Sequence, residues 1–349
     1  MLTSEIKCAI SLAIEAGIPF VAYAEPGCKS AVFFAEIGDC DADATRKFIV
    51  NGWPGGSADR YEICDSADAK STIEYLQTRK LSGRPIVKVW PDTTSRQEYQ
   101  VAVDDVLDYL NNHGGKVVVS RTITGQSVGV DWTEVADRYF DIHDEAFRYI
   151  YFTPRHGCWL GASPELLLRV SDRHFMTMAL AGTRSISEAD ETWSGKNVAE
   201  QAIVSNYIVD RLYEFGLAPH CSPTETMSTG NIQHLCTIIT GSTEDSTPEE
   251  ILRSLNPTPA LAGYPLASAL ELIANTERHP RRCYGGYIAI ATDHSFDAYV
   301  NLRCVNFDSE CWCMYVGSGI MPDSDVDDEW SETEAKSLLL KNIIEDSRK

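Results

Sequence analysis

Glu200 stands where a carboxylate needs a reason. From Ser194 or Gly195 onward the chain has a helical period, and Val204, Ile208 and Leu212 follow Glu200 at four-residue steps, so its side chain projects from the face to be buried. A buried acid is stable only when paired, hydrogen-bonded or bound to a metal, and Lys196, one turn earlier, is a partial partner. The C-terminal stretch repeats the anomaly. Ser324 with Asp327 reads as a helix start, after which Glu329, Glu332, Lys336, Leu339, Leu340 and Ile343 share one face. Two helices therefore bring acids inward. Ion pairing is one outcome; a hard-cation site is the other, and with few protein oxygens and an anionic ligand completing the shell, Mg²⁺ is the expected ion. Just before the first helix, Ala181-Gly182-Thr183-Arg184 reads as a glycine turn suited to an anion.

Three more polar residues fall in strand-like runs. Lys116 follows two glycines and opens Val117-Val118-Val119-Ser120, sharing a face with Val118 and Ser120; it is either an exposed strand start or a cleft residue. Glu165 follows Ser163-Pro164 and precedes three leucines, which suits a strand-edge acid or a carboxyl with a raised pKa. Arg303 reads as part of an alternating strand, opposite in facing to Val300 and Leu302, and is open to solvent exposure or to holding a carboxylate. Asp323, Asp325, Asp327 and Glu334 match four positions of a calcium-binding loop, but Asp328 replaces the glycine its turn requires. Cys311 and Cys313 have no second Cys or His pair at zinc spacing, and the eight histidines form no ligand pattern.

Taken in order, KVVVSR (116–121), SPELLL (163–168), LAGTR (180–184), KNVAEQ (196–201), NPTPALAGYP (256–265), Tyr284-Gly285-Gly286, NLRCV (301–305), GSGI (317–320) and DEWSETEAK (328–336) resemble the blocks of the chorismate-utilising enzymes, the family of isochorismate synthase, salicylate synthase and the large subunit of anthranilate synthase. They span roughly the last two thirds of the chain in the family's order. The resemblance implies Lys116 as general base for water, made competent by burial and cationic neighbours, and Glu165 as general acid for the departing C4 hydroxyl. It implies that Gly182 and Thr183 hold the ring carboxylate, that Tyr284, Arg303, Lys336 and the Gly317 amide grip the enolpyruvyl carboxylate, and that Glu200 and Glu329, helped by Glu332, bind Mg²⁺. Ala260 and Leu261 resemble the isochorismate-forming members, whereas salicylate- and anthranilate-forming relatives tend to carry threonine at the second position. Lys116 and Ala181 are unlike the ammonia-using members. The activity implied is conversion of chorismate to isochorismate, with salicylate synthesis second and ammonia-using amination third. Asn197, Gln201 and Asn256 depart from the family pattern, and the insert between Arg184 and Lys196 is short.

The elements that must position these residues read as α+β. Helices are expected at 6–16, about 97–112, 196–215, 247–255, 264–277 and 327–345, and strands at 20–23, 31–34, 86–91, 116–120, 158–162, 166–170 and 174–180, with a meander over 283–291, 296–307 and 311–316. The resemblance sharpens this to two interlocked subdomains with large antiparallel sheets forming a β-sandwich covered by helices, residues 1–94 being an N-terminal region and 95–349 the chorismate-binding region. At 349 residues and 44% hydrophobic content the chain can bury a large core. A formal charge of −21 argues against nucleic acid or anionic lipid as partners and would repel an anionic substrate, so local cations must overcome it. Eleven scattered cysteines without a secretory signal suggest a reduced, cytoplasmic protein, and no run is apolar enough to span a membrane. No obligatory glutaminase partner is expected, and a monomer is.

Overall fold

Strand β1 (Phe20–Ala24) is buried along its whole length, yet its residues still alternate. Val21 and Tyr23 pack into the space between two sheets, whereas Phe20, Ala22 and Ala24 pack outward beneath helices. That division organises the molecule. The structure is a computed structural model that describes residues 1–38, 45–54, 59–78, 89–229 and 232–348. In chain order β1 is preceded by α1 (Ser4–Ala16) and followed by β2 (Val32–Ala35), β3 (Arg46–Asn51), β4 (Arg60–Cys64), α2 (Ala69–Gln77), α3 (Arg96–His113), β5 (Lys116–Gln126), α4 (Trp132–Ile142), β6 (Phe147–Thr153), β7 (Gly157–Ser163), β8 (Leu166–Ser171) and β9 (His174–Ser185). Then come α5 (Gly195–Glu214), β10 (His220–Cys221), β11 (Glu225–Thr229), β12 (Ile232–Ser242), α6 (Pro248–Leu255), β13 (Gly263–Tyr264), α7 (Leu266–Thr276), β14 (Tyr287–Thr292), β15 (Ser295–Val300), β16 (Cys304–Phe307), β17 (Cys311–Ile320) and α8 (Val326–Asp346).

One sheet has the order β13-β5-β17-β16-β7-β6-β1-β2; the other runs β10-β12-β9-β8-β15-β14-β3-β4, with β11 on β12. All described pairings are antiparallel. The sheets share a core of side chains from both inner faces, including Tyr149, Tyr151 and Trp159 from the first and Phe48, Leu167 and Ile288 from the second. Helices α1 and α4 cover the outside of the first sheet, and α3 and α7 pack on β5. This is the expected α+β sandwich. The first four strands join both sheets, β1 and β2 one and β3 and β4 the other.

Local chemistry explains the helix ends. Ser95 and Glu98 make a reciprocal capping box on α3, which stops at Gly114 with φ 69°. Ser194 caps α5 through Asn197 N. The last helix is capped by Asp325, which accepts from Asp327 N and Asp328 N, and not by the expected Ser324.

Four other expectations are corrected. Ala181–Arg184 is not a turn but part of β9, where Gly182 (φ 73°) is the extra residue of a bulge: Thr183 pairs with His234 and Ala181 with Leu235. The meander is split, because the run 296–307 breaks at Asn301–Arg303 and sends β15 to one sheet and β16 to the other. Arg303 sits in that crossover with φ 47°, held by Tyr139 Oη donating to its carbonyl at 3.0 Å. Residues 86–88 of the strand expected at 86–91 lie outside the described residues, and 89–91 are not in a strand. Nine described cysteines are free but Cys64 is disulfide-bonded, contrary to the expectation of reduced thiols throughout. Among the described residues no helix is long and apolar enough to cross a membrane.

Candidate functional site

A narrow cleft of about 90 Å³ lies where β5, β9, β17, α5 and α8 approach one another. Its lining gathers Lys116, Glu165, Gly182, Thr183, Glu200, Ala260, Leu261, Tyr284, Arg303, Gly317, Glu332 and Lys336; of the expected site residues only Glu329 is outside the lining, on the helix that carries Glu332 and Lys336. A larger depression of about 360 Å³ between α1 and α4 contains none of them.

The acids and lysines pair in an order that helix spacing does not suggest. Glu200 meets Lys116 of β5 at 2.9 Å, both side chains being nearly inaccessible, so the lysine is buried and its neighbour is an anion in place of the expected cations. Lys196 instead reaches across to Glu329 of α8, whose other partner is the Ser324 hydroxyl at 2.6 Å. Glu332 holds Lys336 at 2.6 Å, and the Lys336 ammonium also donates to the Gly317 carbonyl at 3.0 Å. Gly317 thus offers its carbonyl to Lys336, where the sequence suggested an amide for substrate.

Glycine is required at two points of this wall. A Cβ at Gly319 would lie 2.3 Å from Glu200 Oε1 and 2.7 Å from Lys116 Cε, and one at Gly317 would lie 2.8 Å from Tyr284 Oη. The two residues clear the space in which the ion pair and the tyrosine sit.

Electrostatics distinguish the carboxyls. Burial pushes Glu165 up to about 8, with Lys116 and Lys336 opposing, so near neutrality it retains its proton. Burial, and then the charge of Glu332, raise Glu329, against which Lys196 and Ser324 act. Lys196 is itself raised by Glu329, Glu200 and Glu332, despite its burial. One ammonium therefore lies in the field of all three acids proposed for Mg²⁺. The donor set fits that ion in kind, being carboxylate oxygens gathered around a positive charge. As arranged, however, each acid is turned to a lysine, and among the described residues no three potential ligands are grouped at metal-binding separation.

His234 is the site residue that sequence reasoning missed. On β12 it sits opposite the bulge, where Nδ1 donates to the Gly182 carbonyl at 3.1 Å and Nε2 accepts from Arg303 Nη2 at 3.2 Å. Burial, then Arg303 and Lys336, push it down to about 3, so it is neutral and aims the Arg303 guanidinium at the cleft. No spacing in the sequence could reveal it, because its partners lie 52 and 69 residues away. The departures also acquire roles. Asn197 donates to the Thr183 carbonyl at 3.4 Å, Gln201 donates to the Thr237 hydroxyl at 2.7 Å, and Asn256 ends α6 before a cis Pro257. Three of the four residues of the calcium-loop pattern are otherwise engaged: Asp325 caps α8, Asp327 pairs with Arg96 and Glu334 with Arg121.

Residues 46–345 match the family model described as chorismate binding enzyme. The isochorismate synthase EntC of Escherichia coli is 28% identical over 242 residues, covering 66% of this chain and 62% of that protein. Anthranilate synthase component 1 of Bacillus pumilus is 30% identical over 211 residues, covering 56% of this chain and 41% of that protein. These alignments span less than two thirds of either relative. In overall fold the chain superimposes on MenF, the menaquinone-specific isochorismate synthase of Escherichia coli, with a TM-score of 0.75 at 19% identity, covering 96% of this chain and 91% of that one.

Proposed function

The chain belongs to the chorismate-binding enzyme family, and from that premise we propose that it is an isochorismate synthase acting on chorismate. The observation that carries the proposal is a buried lysine and a buried, protonated glutamic acid lining one cleft, Lys116 and Glu165. In the proposed reaction Lys116, as the amine, takes a proton from water as the oxygen bonds to C2 of the ring. Both double bonds of the ring diene shift by one position, the C4–O bond breaks, and Glu165 supplies the proton with which the C4 hydroxyl leaves as water. One water enters and one departs, so substrate and product are isomers. The Glu200 carboxylate, 2.9 Å from the Lys116 nitrogen, stabilises the ammonium that forms.

Arg303, Lys336 and Tyr284 are assigned to the enolpyruvyl carboxylate, with His234 orienting Arg303, and the bulge at Gly182 and Thr183 to the ring carboxylate. Burial holds the Tyr284 hydroxyl above its usual range, so it remains a donor. Mg²⁺, held by Glu200 and Glu329 with help from Glu332, would screen the ring carboxylate and fix its position.

Salicylate synthesis would require a further step that eliminates pyruvate. Leu261 is buried and Ala260 beside it is likewise apolar, so this part of the wall offers no side-chain hydrogen bond to that elimination. Purified protein incubated with chorismate and Mg²⁺ is therefore expected to yield isochorismate by chromatography, with pyruvate far below stoichiometric. Stoichiometric pyruvate would assign the chain to salicylate synthesis, and anthranilate formed with ammonium would assign it to amination.

A pH dependence follows from Glu165. The acid must be protonated to act, so kcat/KM is expected to fall about tenfold per unit above pH 8. Glu165→Gln should lose that limb together with roughly 100- to 10,000-fold of the rate. A limb that persists unchanged in Glu165→Gln would assign the proton donor elsewhere.

A further inference from the structure

Strand β5 has an edge problem beside Lys116. Its neighbour β13 pairs only with Lys116 and Val117, and the next backbone bond is Val118 N donating to Ala262 O at 2.9 Å. Beyond that point two side chains replace the missing strand. Arg281 Nη2 donates to the Val118 carbonyl at 2.7 Å, and Glu277 Oε1 accepts from Ser120 N at 2.7 Å. The same guanidinium sends Nη1 to the Leu261 carbonyl at 2.7 Å and meets Glu277 through Nε and Nη2 at 2.8 and 2.6 Å. It stacks on Trp53 with 4.5 Å to the ring centroid, and the Arg281 carbonyl accepts from Tyr284 N at 2.9 Å. Both side chains are almost wholly inaccessible, at 1% and 3%.

We propose that Glu277 and Arg281 form a positioning fork that sets the spacing of three walls of the cleft: the strand of Lys116, the loop of Ala260 and Leu261, and the turn of Tyr284. Val118 O and Leu261 O bind two nitrogens of one rigid, planar group, so their separation is fixed by covalent geometry. A lysine could hold one carbonyl but not the interval between them. A buried ion pair contributes little net stability compared with apolar packing, whereas it does impose one geometry. The fork touches no substrate, and it acts through Lys116 and Leu261; in that respect it rests on the function proposed above.

The test compares Arg281→Met with Arg148→Met. Arg148 is an equally buried arginine that binds the backbone carbonyls of Phe140, Glu25 and Cys28 and does not line the cleft. Arg281→Met is expected to lower kcat by about 100-fold with KM within a few-fold of wild type, since misplacement of a reacting group by about 1 Å costs that much. Arg281→Lys should recover only part of it, and Arg148→Met should lose thermal stability with kcat near wild type. Hydrogen exchange should quicken in segments 116–122 and 260–264 of Arg281→Met and stay unchanged in β6. Should Arg281→Met not fold, Glu277→Gln, which keeps the shape, carries the same expectations at about tenfold in kcat. Equal kcat loss in the Arg281 and Arg148 variants, or unaltered exchange in 116–122, overturns the fork. A wild-type product other than isochorismate would refute the proposed function alone, because the variant kcat ratios are defined for whatever product forms and the exchange pattern requires none.

Discussion

Lys116→Ala is expected to lower hydration of chorismate at C2 by about 100- to 10,000-fold, the usual contribution of a general base. Lys116 opens β5 after two glycines and is 1% exposed, with its nitrogen against Glu200 inside the cleft. Removing one partner of a buried pair leaves the other uncompensated, at a cost of about 3–5 kcal/mol, so alanine is also expected to lower thermal stability. Lys116→Gln separates the two effects. An amide at this position can still donate to Glu200 but cannot take a proton from water, so this variant should fold as wild type and lack hydration. Turnover of chorismate by chromatography and melting by circular dichroism would be measured on both. Near-normal hydration in Lys116→Gln would make Lys116 a structural lysine and place water activation elsewhere.

Excess chelator is expected to bring chorismate turnover to background, and Mg²⁺ to restore it. Glu329→Gln and Glu200→Gln should abolish it without unfolding the protein. Burial and Glu332 raise Glu329, and Lys196 feels all three acids, so the cluster is one that a cation stabilises. A ligand that binds only the native state at 100 times its dissociation constant adds about 2.7 kcal/mol. Mg²⁺ should accordingly raise the melting temperature of the wild type and not that of Glu329→Gln. Undiminished turnover in excess chelator would defeat the assignment of these carboxylates to a metal.

How much of this was legible beforehand depends on the distance over which each signal acts. That Glu200 and Glu329 face inward follows from their place in a 3.6-residue period, and both helices present those residues to the core as expected. The partner of each acid was not legible. Spacing along one helix pointed to Lys196 for Glu200, but the structure gives Glu200 to Lys116 and Lys196 to Glu329, 133 residues away. Asp325 displaced Ser324 as the cap of α8 because its carboxylate reaches two backbone amides while the serine is drawn to Glu329.

By itself the sequence determined some of the elements, among them α3, α5, α8 and the start of β5 with their apolar faces, but not α2, α4, β3, β4, β6 or β12, and it showed that ordered blocks like those of the chorismate-utilising enzymes are present; these are properties of periods and neighbours within some twenty residues. Tertiary structure decided where sheet register and crossovers take over. Gly182 became a bulge because β12 runs beside it, Arg303 left its strand because the chain changes sheets there, and His234 entered the site because it lies opposite that bulge. The ion pairs of the cleft join elements far apart in the chain. No local pattern can choose among several lysines for a given glutamate, since that choice is made by which side chains the packed sheets and helices bring within hydrogen-bond reach.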